Sequence, residues 1–306
     1  MRVVVTGAAG FIGQNLIKYM NRMGFDRIVA VDEIDSIPRL AGLFYEEFYT
    51  PDIVIFKEGD VLVHLGACTD TMNTDADFMR ANNFVYSTKL IKKAWEMNCR
   101  VIYASSAGVY GNKEEFTDSN DYDHIRLLEP STIYGKSKQL LDMWNIHNGN
   151  KCIGLRFFNV WGDREQHKGR MESIISKKYY EIKEGLSQQL YYHPAKTLSR
   201  DFIYVKDVVK IIENFIYSGA AGIYNVGTGI SLPWNELITN YFEVFGNVAI
   251  IEPVEFPKDR AANYQFFTKS DNTKLLTVEF MKDYQFYHIQ DALKDFIHER
   301  ESKTIF

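Results

Sequence analysis

Three side chains near the middle of the chain have the types and the spacing of a group that oxidises an alcohol. Ser106 follows the predicted strand at residues 101–105, and Tyr134 and Lys138 lie four residues apart in a predicted helix. Residues at i and i+4 share one helix face, so the Lys138 ammonium can lie beside the Tyr134 phenol. A phenol has a pKa of about 10, and a neighbouring positive charge lowers it. With Ser106 bonded to the substrate hydroxyl, this group predicts conversion of an alcohol to a ketone.

A glycine-rich turn lies between the predicted strand Val3–Thr6 and a predicted helix at residues 10–23. Glycines there let the backbone approach a pyrophosphate at the N terminus of the helix. A glycine triplet alone is a weak signal, but the position between a strand and a helix makes it specific. The turn therefore predicts a dinucleotide site, with contacts from Gly7, Gly10, Phe11, Ile12 and Gly13.

The end of the second predicted strand, residues 27–31, indicates which dinucleotide binds. Asp32 stands where a carboxylate accepts hydrogen bonds from the adenosine ribose, and Glu33 follows it. A ribose 2′-phosphate would meet these two carboxylates, and the nearest downstream cation, Arg39, would have to fold back to reach it. NAD is therefore favoured as the cofactor, with NADP as the alternative.

Two further segments are expected beside the cofactor. Open α/β sheets bind ligands at the carboxyl edge, where the strand at 61–65 ends in small residues; its contacts are Leu65, Gly66 and Ala67. A second segment is the predicted helix at 75–97, in which Asn82 precedes Asn83. A buried amide there must bond the backbone or the cofactor. Asn82 is assigned to the cofactor, with helix packing as the alternative.

Short apolar strands alternate with helices through the first half of the chain. Strands at 61–65, 101–105 and 153–157 alternate with helices at 75–97 and 133–147. This pattern predicts an α/β protein with a Rossmann-type doubly wound parallel sheet. Later elements are strands at 190–192, 201–205 and 222–226 and helices at 171–184, 206–217, 232–245 and 289–300. Residues 1–160 with about 200–230 are expected to form the dinucleotide-binding domain, and 161–199 with 231–306 a smaller, discontinuous C-terminal α/β substrate lobe.

Composition excludes several classes of protein. The 306 residues are 46% apolar, and 35 basic against 40 acidic residues give a net charge of −5. The charges are mixed along the chain, without the basic stripe of a nucleic-acid binder. No apolar run approaches the ~20 residues of a membrane span, and the first residues lead straight into a strand, so a cytoplasmic protein is expected. Cys68, Cys99 and Cys152 are widely spaced, which favours buried thiols and no metal site.

Several further segments carry a resemblance that covers nearly the whole chain. Through them the chain resembles the extended short-chain dehydrogenases/reductases and, within that superfamily, is similar to the ADP-L-glycero-D-manno-heptose 6-epimerase family. The segments are His64-Leu-Gly-Ala-Cys68, Tyr103-Ala-Ser-Ser-Ala107, Arg156-Phe-Phe-Asn-Val-Trp-Gly162, Arg164-Glu-Gln-His-Lys-Gly169, Arg200-Asp-Phe-Ile-Tyr-Val205, Asn225-Val-Gly-Thr-Gly229 and Tyr264-Gln-Phe-Phe-Thr268.

The resemblance implies roles for individual residues. Ser106, Tyr134 and Lys138 would form the oxidoreduction group, and Lys168 would be a second acid/base. Val160 would contact the cofactor, and the substrate sugar and phosphates would be held by Asn159, Arg200 and Tyr264. Without the resemblance, Lys168 is typical of a solvated loop, Arg200 of a strand-start ion pair with Asp201, and Tyr264 of a packed aromatic.

The chain also departs from that family at positions where the substrate would bind. Arg170 replaces a serine, the loop Tyr192-His-Pro-Ala195 replaces Phe-Glu-Gly-Ser, and Ala262-Asn263 replaces Gly-Arg. Arg170 and Tyr192 are therefore expected as substrate contacts of this chain. The family's lysines near the cofactor 2′-phosphate have no clear counterpart, which again favours NAD.

The implied activity is that of a nucleotide-sugar epimerase that oxidises its substrate to a ketone and reduces it again, with C6 of an ADP-glycero-manno-heptose as the centre. A UDP- or GDP-hexose 4-epimerase is the main alternative, since it needs no Lys168. A 4,6-dehydratase is disfavoured because Ala107-Gly108 replaces the required acid, and a non-catalytic NAD-binding subunit is disfavoured by the intact Ser106, Tyr134 and Lys138. A homodimer or larger homo-oligomer is expected by analogy with the fold.

Overall fold

A seven-stranded parallel sheet forms the centre of the computed structural model, which describes residues 1–261 and 264–302. The strands in chain order are β1 (Val3–Thr6), β2 (Ile28–Val31), β3 (Glu47–Tyr49), β4 (Val61–His64), β5 (Arg100–Ser106), β6 (Ile153–Phe157), β7 (Asn159–Trp161), β8 (Gln188–Tyr192), β9 (Ser199–Arg200), β10 (Phe202–Tyr204), β11 (Gly222–Val226), β12 (Leu232–Pro233) and β13 (Ile251–Glu255). The order in the central sheet is β11-β6-β5-β4-β1-β2-β3. Its direction of winding reverses between β1 and β4, which is where such sheets bind dinucleotides.

Helices cover both faces of this sheet. Alternate residues of β1 show the division: Val3 and Val5 pack into one buried apolar cluster with Leu16, and Val4 packs into a second cluster with Leu90. Because both faces are buried, the strands are continuous apolar runs. The helices are α1 (Phe11–Arg22), α2 (Ala76–Arg80), α3 (Tyr86–Glu96), α4 (Tyr122–Arg126), α5 (Ile133–His147), α6 (Ile174–Lys183), α7 (Val205–Tyr217), α8 (Trp234–Val244), α9 (Lys258–Ala261) and α10 (Ile289–Glu301).

Three short two-stranded sheets lie outside the central one. β7 pairs with β10 and β8 with β13 in parallel, while β9 pairs with β12 in antiparallel fashion. Two ion pairs join α10 to helices that cover the central sheet. Glu299 of α10 pairs with Lys18 of α1 and, at 3.1 Å, with Lys206 of α7. The later part of the chain is thus packed onto the helices of the central sheet.

The predicted fold class is confirmed, and strand 222–226 returns to the central sheet beside β6 as expected. The helix predicted over 232–245 begins two residues late, because Leu232 and Pro233 are extended and pair with β9. The helix predicted over 75–97 contains a π-helical turn at Ala81–Val85. The sequence did not predict β3, β7 or β13. Residues Ala262-Asn263 lie outside the described residues.

None of the helices in the described part of the chain is long and apolar enough to cross a membrane. The cysteines at 68, 99 and 152 are all free thiols; Cys99 and Cys152 are buried, and Cys68 is half-buried.

Candidate active site

The glycine-rich turn lies where β1 and β4 end side by side. Gly7 adopts a φ of +65°, in the left-handed region, and a Cβ there would lie 2.7 Å from the Gly66 nitrogen. A Cβ at Gly13 would lie 2.1 Å from the Gly7 carbonyl oxygen. The turn is therefore folded tightly against the loop after β4, and larger residues would not fit. This close backbone cradle at the start of α1 fits the pyrophosphate of a dinucleotide. Phe11 and Ile12 continue the turn into α1.

Asp32 ties the end of β2 to the same turn. Its carboxylate accepts hydrogen bonds from the Ala9 and Glu33 backbone nitrogens, each at 2.8 Å. Glu33 and Arg39 are exposed. Burial and the charges of Arg39 and Lys168 lower the pKa of His167. Because Arg39 is close enough to act on this ring, the loop after β7 lies close to this end of the site.

The amide that organises the loop after β4 is Asn83, not Asn82. Asn83 is fully buried; it accepts from the Cys68 nitrogen at 2.8 Å and donates to the Cys68 oxygen at 2.9 Å and to Ser137 Oγ at 3.0 Å. Asn82 is exposed and donates to the Phe78 carbonyl. The π-helical turn carries both residues, and it is Asn83 that it places inward. The buried amide is therefore Asn83 and not Asn82, whose contact with the cofactor stays a prediction. Asn83 holds the loop at Cys68, directly after Leu65, Gly66 and Ala67.

A buried histidine connects the ends of β1 and β4 to α3. His64 bonds Thr6 Oγ1 at 2.6 Å through Nδ1 and Ser87 Oγ at 2.7 Å through Nε2. Burial, together with the charge of Lys138, lowers the pKa of His64 to about 3. The ring is therefore neutral at physiological pH. Because the Ser87 hydroxyl donates to the Asn83 carbonyl, Nε2 must be the protonated nitrogen and Nδ1 the acceptor.

Ser106 and Tyr134 meet at the end of β5. Tyr134 is half-buried at the start of α5, where Thr132 caps the helix by accepting from the Gly135 nitrogen at 3.0 Å. A Cβ at Gly135 would lie 2.5 Å from the Gly108 oxygen, so α5 packs directly on the turn after β5. Burial raises the pKa of the Tyr134 phenol, and its hydrogen bond with Ser106 acts in the opposite direction.

Lys138 is buried one turn further along α5. Its ammonium donates to the Ala104 carbonyl oxygen at 2.8 Å and lies 5.9 Å from the centre of the Tyr134 ring. Burial lowers the pKa of Lys138 to about 8, against the attraction of Asp142. The predicted proximity of Lys138 and Tyr134 is thus found. The predicted lowering of the phenol pKa is wrong for this arrangement, because burial outweighs the other influences and the ammonium is turned to a carbonyl.

Lys168 is held in place and is not a freely solvated loop residue. Its ammonium donates to the Glu165 carboxylate at 3.1 Å and lies 4.9 Å from the centre of the Phe11 ring, at the first residue of α1. Lys168 therefore lies beside the start of α1, where the glycine-rich turn runs into the helix. Arg170 is exposed and forms an ion pair with Asp70, in the loop after β4.

A second group of predicted residues surrounds β9 and β7. Arg200 is buried, donates to the Ser199 carbonyl at 3.0 Å, and lies 5.1 Å from the centre of the Tyr264 ring. Burial lowers the pKa of Arg200. Asp201 is not its partner, since that carboxylate accepts from the Thr228, Gly229 and Ser270 backbone nitrogens.

Asn159 and Val160 occupy the strand that follows β6. Asn159 is exposed and accepts from Thr268 Oγ1 at 3.2 Å, while Val160 is half-buried. Tyr192 is exposed at the end of β8. Among the described residues, no hydrogen bond or ring contact joins Tyr192 or Arg170 to Ser106, Tyr134 or Lys138.

Residues 3–227 match the model of the NAD dependent epimerase/dehydratase family. The chain belongs to this family. It is 36% identical over 291 residues to the ADP-L-glycero-D-manno-heptose-6-epimerase of Nitratidesulfovibrio vulgaris strain DP4, spanning 89% of this chain and 90% of that one. It is 32% identical to the enzyme of the same name from Fusobacterium nucleatum, spanning 96% of each chain.

Solved structures of other epimerases share the fold. The Helicobacter pylori ADP-L-glycero-D-manno-heptose-6-epimerase has a TM-score of 0.82 at 23% identity, covering 98% of this chain and 96% of its own. A UDP-N-acetylglucosamine 4-epimerase from Methanobrevibacter ruminantium M1 has a TM-score of 0.82 at 22% identity, covering 99% and 98%. Together with the family match and the curated relatives, they confirm the predicted resemblance to extended short-chain dehydrogenases/reductases.

Beneath Ser106, Tyr134 and Lys138 lies an anchor that the sequence did not single out. Asp142, on α5 one turn after Lys138, accepts from Tyr103 at 2.8 Å, from Ser105 at 3.0 Å and from Arg156 at 2.8 Å. Asp142 and Arg156 are both fully buried. The i+4 spacing from Lys138 is the only sequence signal that could have indicated Asp142.

Proposed function

We propose that this chain is an NAD-dependent nucleotide-sugar epimerase that inverts C6 of an ADP-glycero-manno-heptose through a transient ketone. The observation that carries the proposal is the group of Ser106, Tyr134 and Lys138 at the carboxyl edge of the sheet, with Lys168 held against Phe11 at the start of α1. The names of the curated relatives support the choice of sugar nucleotide.

The residues present fit a nicotinamide dinucleotide. The turn at Gly7 and Gly13 gives close backbone approach for the pyrophosphate, and Asp32 stands at the ribose position. When bound, the dinucleotide supplies an acceptor that takes a hydride from the sugar carbon and later returns it. Asp32 and the exposed Glu33 favour NAD over NADP, because a 2′-phosphate would meet two carboxylates.

The chain's own residues then handle the proton. Ser106, already bonded to Tyr134, orients the reacting hydroxyl, and Tyr134 takes its proton. The positive charge of Lys138 stabilises the phenolate once the ammonium is drawn towards the ring from the Ala104 carbonyl. After rotation about the exocyclic bond, Lys168 donates a proton to the oxygen from the opposite side. Arg200 and Tyr264 bind the diphosphate and Asn159 binds the sugar; Arg170 and Tyr192 act further out.

The proposal extends to the organisation of the molecule. Residues 1–160 with about 200–230 form the dinucleotide-binding domain, and 161–199 with 231–306 form the substrate lobe. We expect a homodimer or larger homo-oligomer, which light scattering tests, and a cytoplasmic location, which cell fractionation tests.

A Tyr134→Phe variant tests the central claim. Loss of the phenol hydroxyl should lower kcat with ADP-L-glycero-D-manno-heptose about 10²- to 10⁴-fold while the dinucleotide content stays unchanged. The control is Tyr180→Phe, at an exposed tyrosine outside the site. Near-normal activity of Tyr134→Phe would refute the assignment.

Substrate assays and a Lys168→Met variant distinguish this proposal from the alternative, a UDP- or GDP-hexose 4-epimerase. UDP-glucose, UDP-N-acetylglucosamine and a GDP-hexose should not be converted. A Lys168→Met variant should lose epimerisation of the ADP-heptose; full activity of that variant, or conversion of a UDP- or GDP-hexose, would favour ring-carbon chemistry instead.

A further inference from the structure

The segment after β7 contains a carboxylate whose burial is unusual for its surroundings. Residues 162–173 contain only a kinked 3-10 helix at Gln166–Met171, and both Lys168 and Arg170 within it reach solvent, yet the Glu165 side chain has 0% exposure. A buried carboxylate is unfavourable unless it is paired and hydrogen-bonded. Its partners therefore indicate what the carboxylate is for.

Three of those partners fix the carboxylate itself. Oε1 accepts from the Gly162 nitrogen at 3.3 Å and from Ser173 Oγ at 2.5 Å, and Oε2 accepts from the Ser173 nitrogen at 2.8 Å. Gly162 follows β7 and Ser173 caps the N terminus of α6. Glu165 is thus attached to two regular elements, independently of any lysine.

The fourth partner is the Lys168 ammonium, which donates to Oε2 at 3.1 Å. On its other side the ammonium lies 4.9 Å from the centre of the Phe11 ring, at the start of α1. The lysine is therefore held between a fixed carboxylate and the helix that carries the dinucleotide turn.

Other lysine–acid pairs of the same spacing lack this anchoring. Lys178 with Glu181 and Lys282 with Glu279 are exposed at the acid by 48% and 85%, against 0% for Glu165. Such exposed pairs hold a side chain weakly. The pair at 165 and 168 differs because its acid is fully buried and accepts three further hydrogen bonds.

We propose that Glu165 is the positioning residue of Lys168: it holds the ammonium at the point from which the second proton transfer takes place. The inference rests on the proposed function, since it gives Lys168 the role of second acid/base. Glu165 contacts neither substrate nor dinucleotide in this scheme and acts only through the lysine.

The test is a double-mutant cycle with Glu165→Gln and Lys168→Met, assayed with ADP-L-glycero-D-manno-heptose. Glu165→Gln should lower kcat about 10- to 100-fold, as expected for a misplaced acid, while KM and the content of copurified dinucleotide remain within twofold. In the Lys168→Met background the same substitution should change kcat less than about twofold, because its only route of action is gone. Glu181→Gln, beside Lys178, is the matched control and should match the unmodified protein.

The outcomes separate this inference from the proposed function. If Lys168→Met is fully active, the second acid/base role fails and the positioning role with it. If Lys168→Met is impaired but Glu165→Gln is not, or if Glu165→Gln lowers kcat equally in both backgrounds, the positioning role alone is overturned. Should Glu165→Gln fail to fold, Glu165→Asp takes its place: the shorter acid should lower kcat with KM unchanged, and an unaltered kcat would overturn the inference.

Discussion

At the scale of single residues, the site contains a charge whose burial is unfavourable, the Lys138 ammonium. Lys138 is almost fully buried, and its nearest partner is a neutral carbonyl, that of Ala104. Asp142 attracts the ammonium but is already bonded to Arg156 and two hydroxyls. The pKa of Lys138 therefore falls from 10.5 to about 8. A residue kept charged in such a place is expected to reduce stability in favour of activity.

A Lys138→Met variant should consequently be inactive but more stable near pH 7. The pKa shift corresponds to roughly 3 kcal/mol, of which 1 to 2 kcal/mol is offset by the hydrogen bond lost at Ala104, so the gain should be about 1 to 2 kcal/mol. Because the folded pKa is lowered, the penalty on the unmodified protein is complete below pH 8 and disappears as pH rises to 10.5. Denaturant titrations at several pH values measure this, with the exposed Lys136→Met as control. A variant less stable at pH 7 would contradict it.

The predictability of these residues depends on the range of their contacts. That Tyr134 and Lys138 share one helix face follows from helix geometry alone, and in the structure the two side chains lie close together. The carbonyl that receives Lys138 belongs to β5, and the acid that holds Lys168 is buried and bonded to Gly162, after β7, and to Ser173, the N-cap of α6. Such partners come from elements distant in sequence or from local burial that residue type does not reveal, so the sequence could not show them.

At the scale of elements, burial decided what could be predicted. β1, β6 and β11 are buried along their whole length, so their apolar runs are continuous and their bounds are found almost to the residue. β3 has three half-buried residues at the sheet edge, one of them Glu47, and leaves little pattern. Leu232 and Pro233 fit a first helical turn by residue type, but pairing with β9 holds them extended.

His64, at the end of β4, is hydrogen-bonded to β1 and to α3. Because the buried ring is neutral, protonation at low pH should destabilise this connection. The folded pKa of about 3 lies below the ordinary value of 6.5, so the unfolded chain binds a proton first as pH falls. The contribution of His64 to stability is complete above pH 6.5 and is lost towards pH 3, by about 1.4 kcal/mol per pH unit. A His64→Asn variant, which cannot titrate, should show a shallower loss of unfolding free energy over this window.

The control for that measurement is His124→Asn, at an exposed histidine on α4, which should keep the pH dependence of the unmodified chain. If the free energy of unfolding falls equally with pH in the unmodified protein and in His64→Asn, protonation of the His64 ring is not the cause of the acid sensitivity.

At the scale of the whole molecule, the proposed cofactor site is assembled from distant parts of the chain. The glycine-rich turn packs on the loop after β4, Asp32 holds the turn from β2, and the segment carrying Lys168 reaches it from beyond β7. Binding of a dinucleotide should therefore stabilise the folded chain as one unit, and the size of that effect reports which dinucleotide the site prefers.

NAD at one hundred times its dissociation constant should add about 2.7 kcal/mol and raise Tm by roughly 5 °C. NADP at the same concentration should raise Tm far less, because its 2′-phosphate would face the Asp32 carboxylate, which Ala9 and Glu33 hold in place, and the exposed Glu33. An Asp32→Asn variant removes one of these charges and should narrow the difference, whereas Asp35→Asn, at an exposed aspartate three residues on, should preserve it. Thermal shift measurements decide the matter: an NADP shift as large as that of NAD would mean that Arg39 folds back onto the phosphate, and the preference argued from the carboxylates would be wrong.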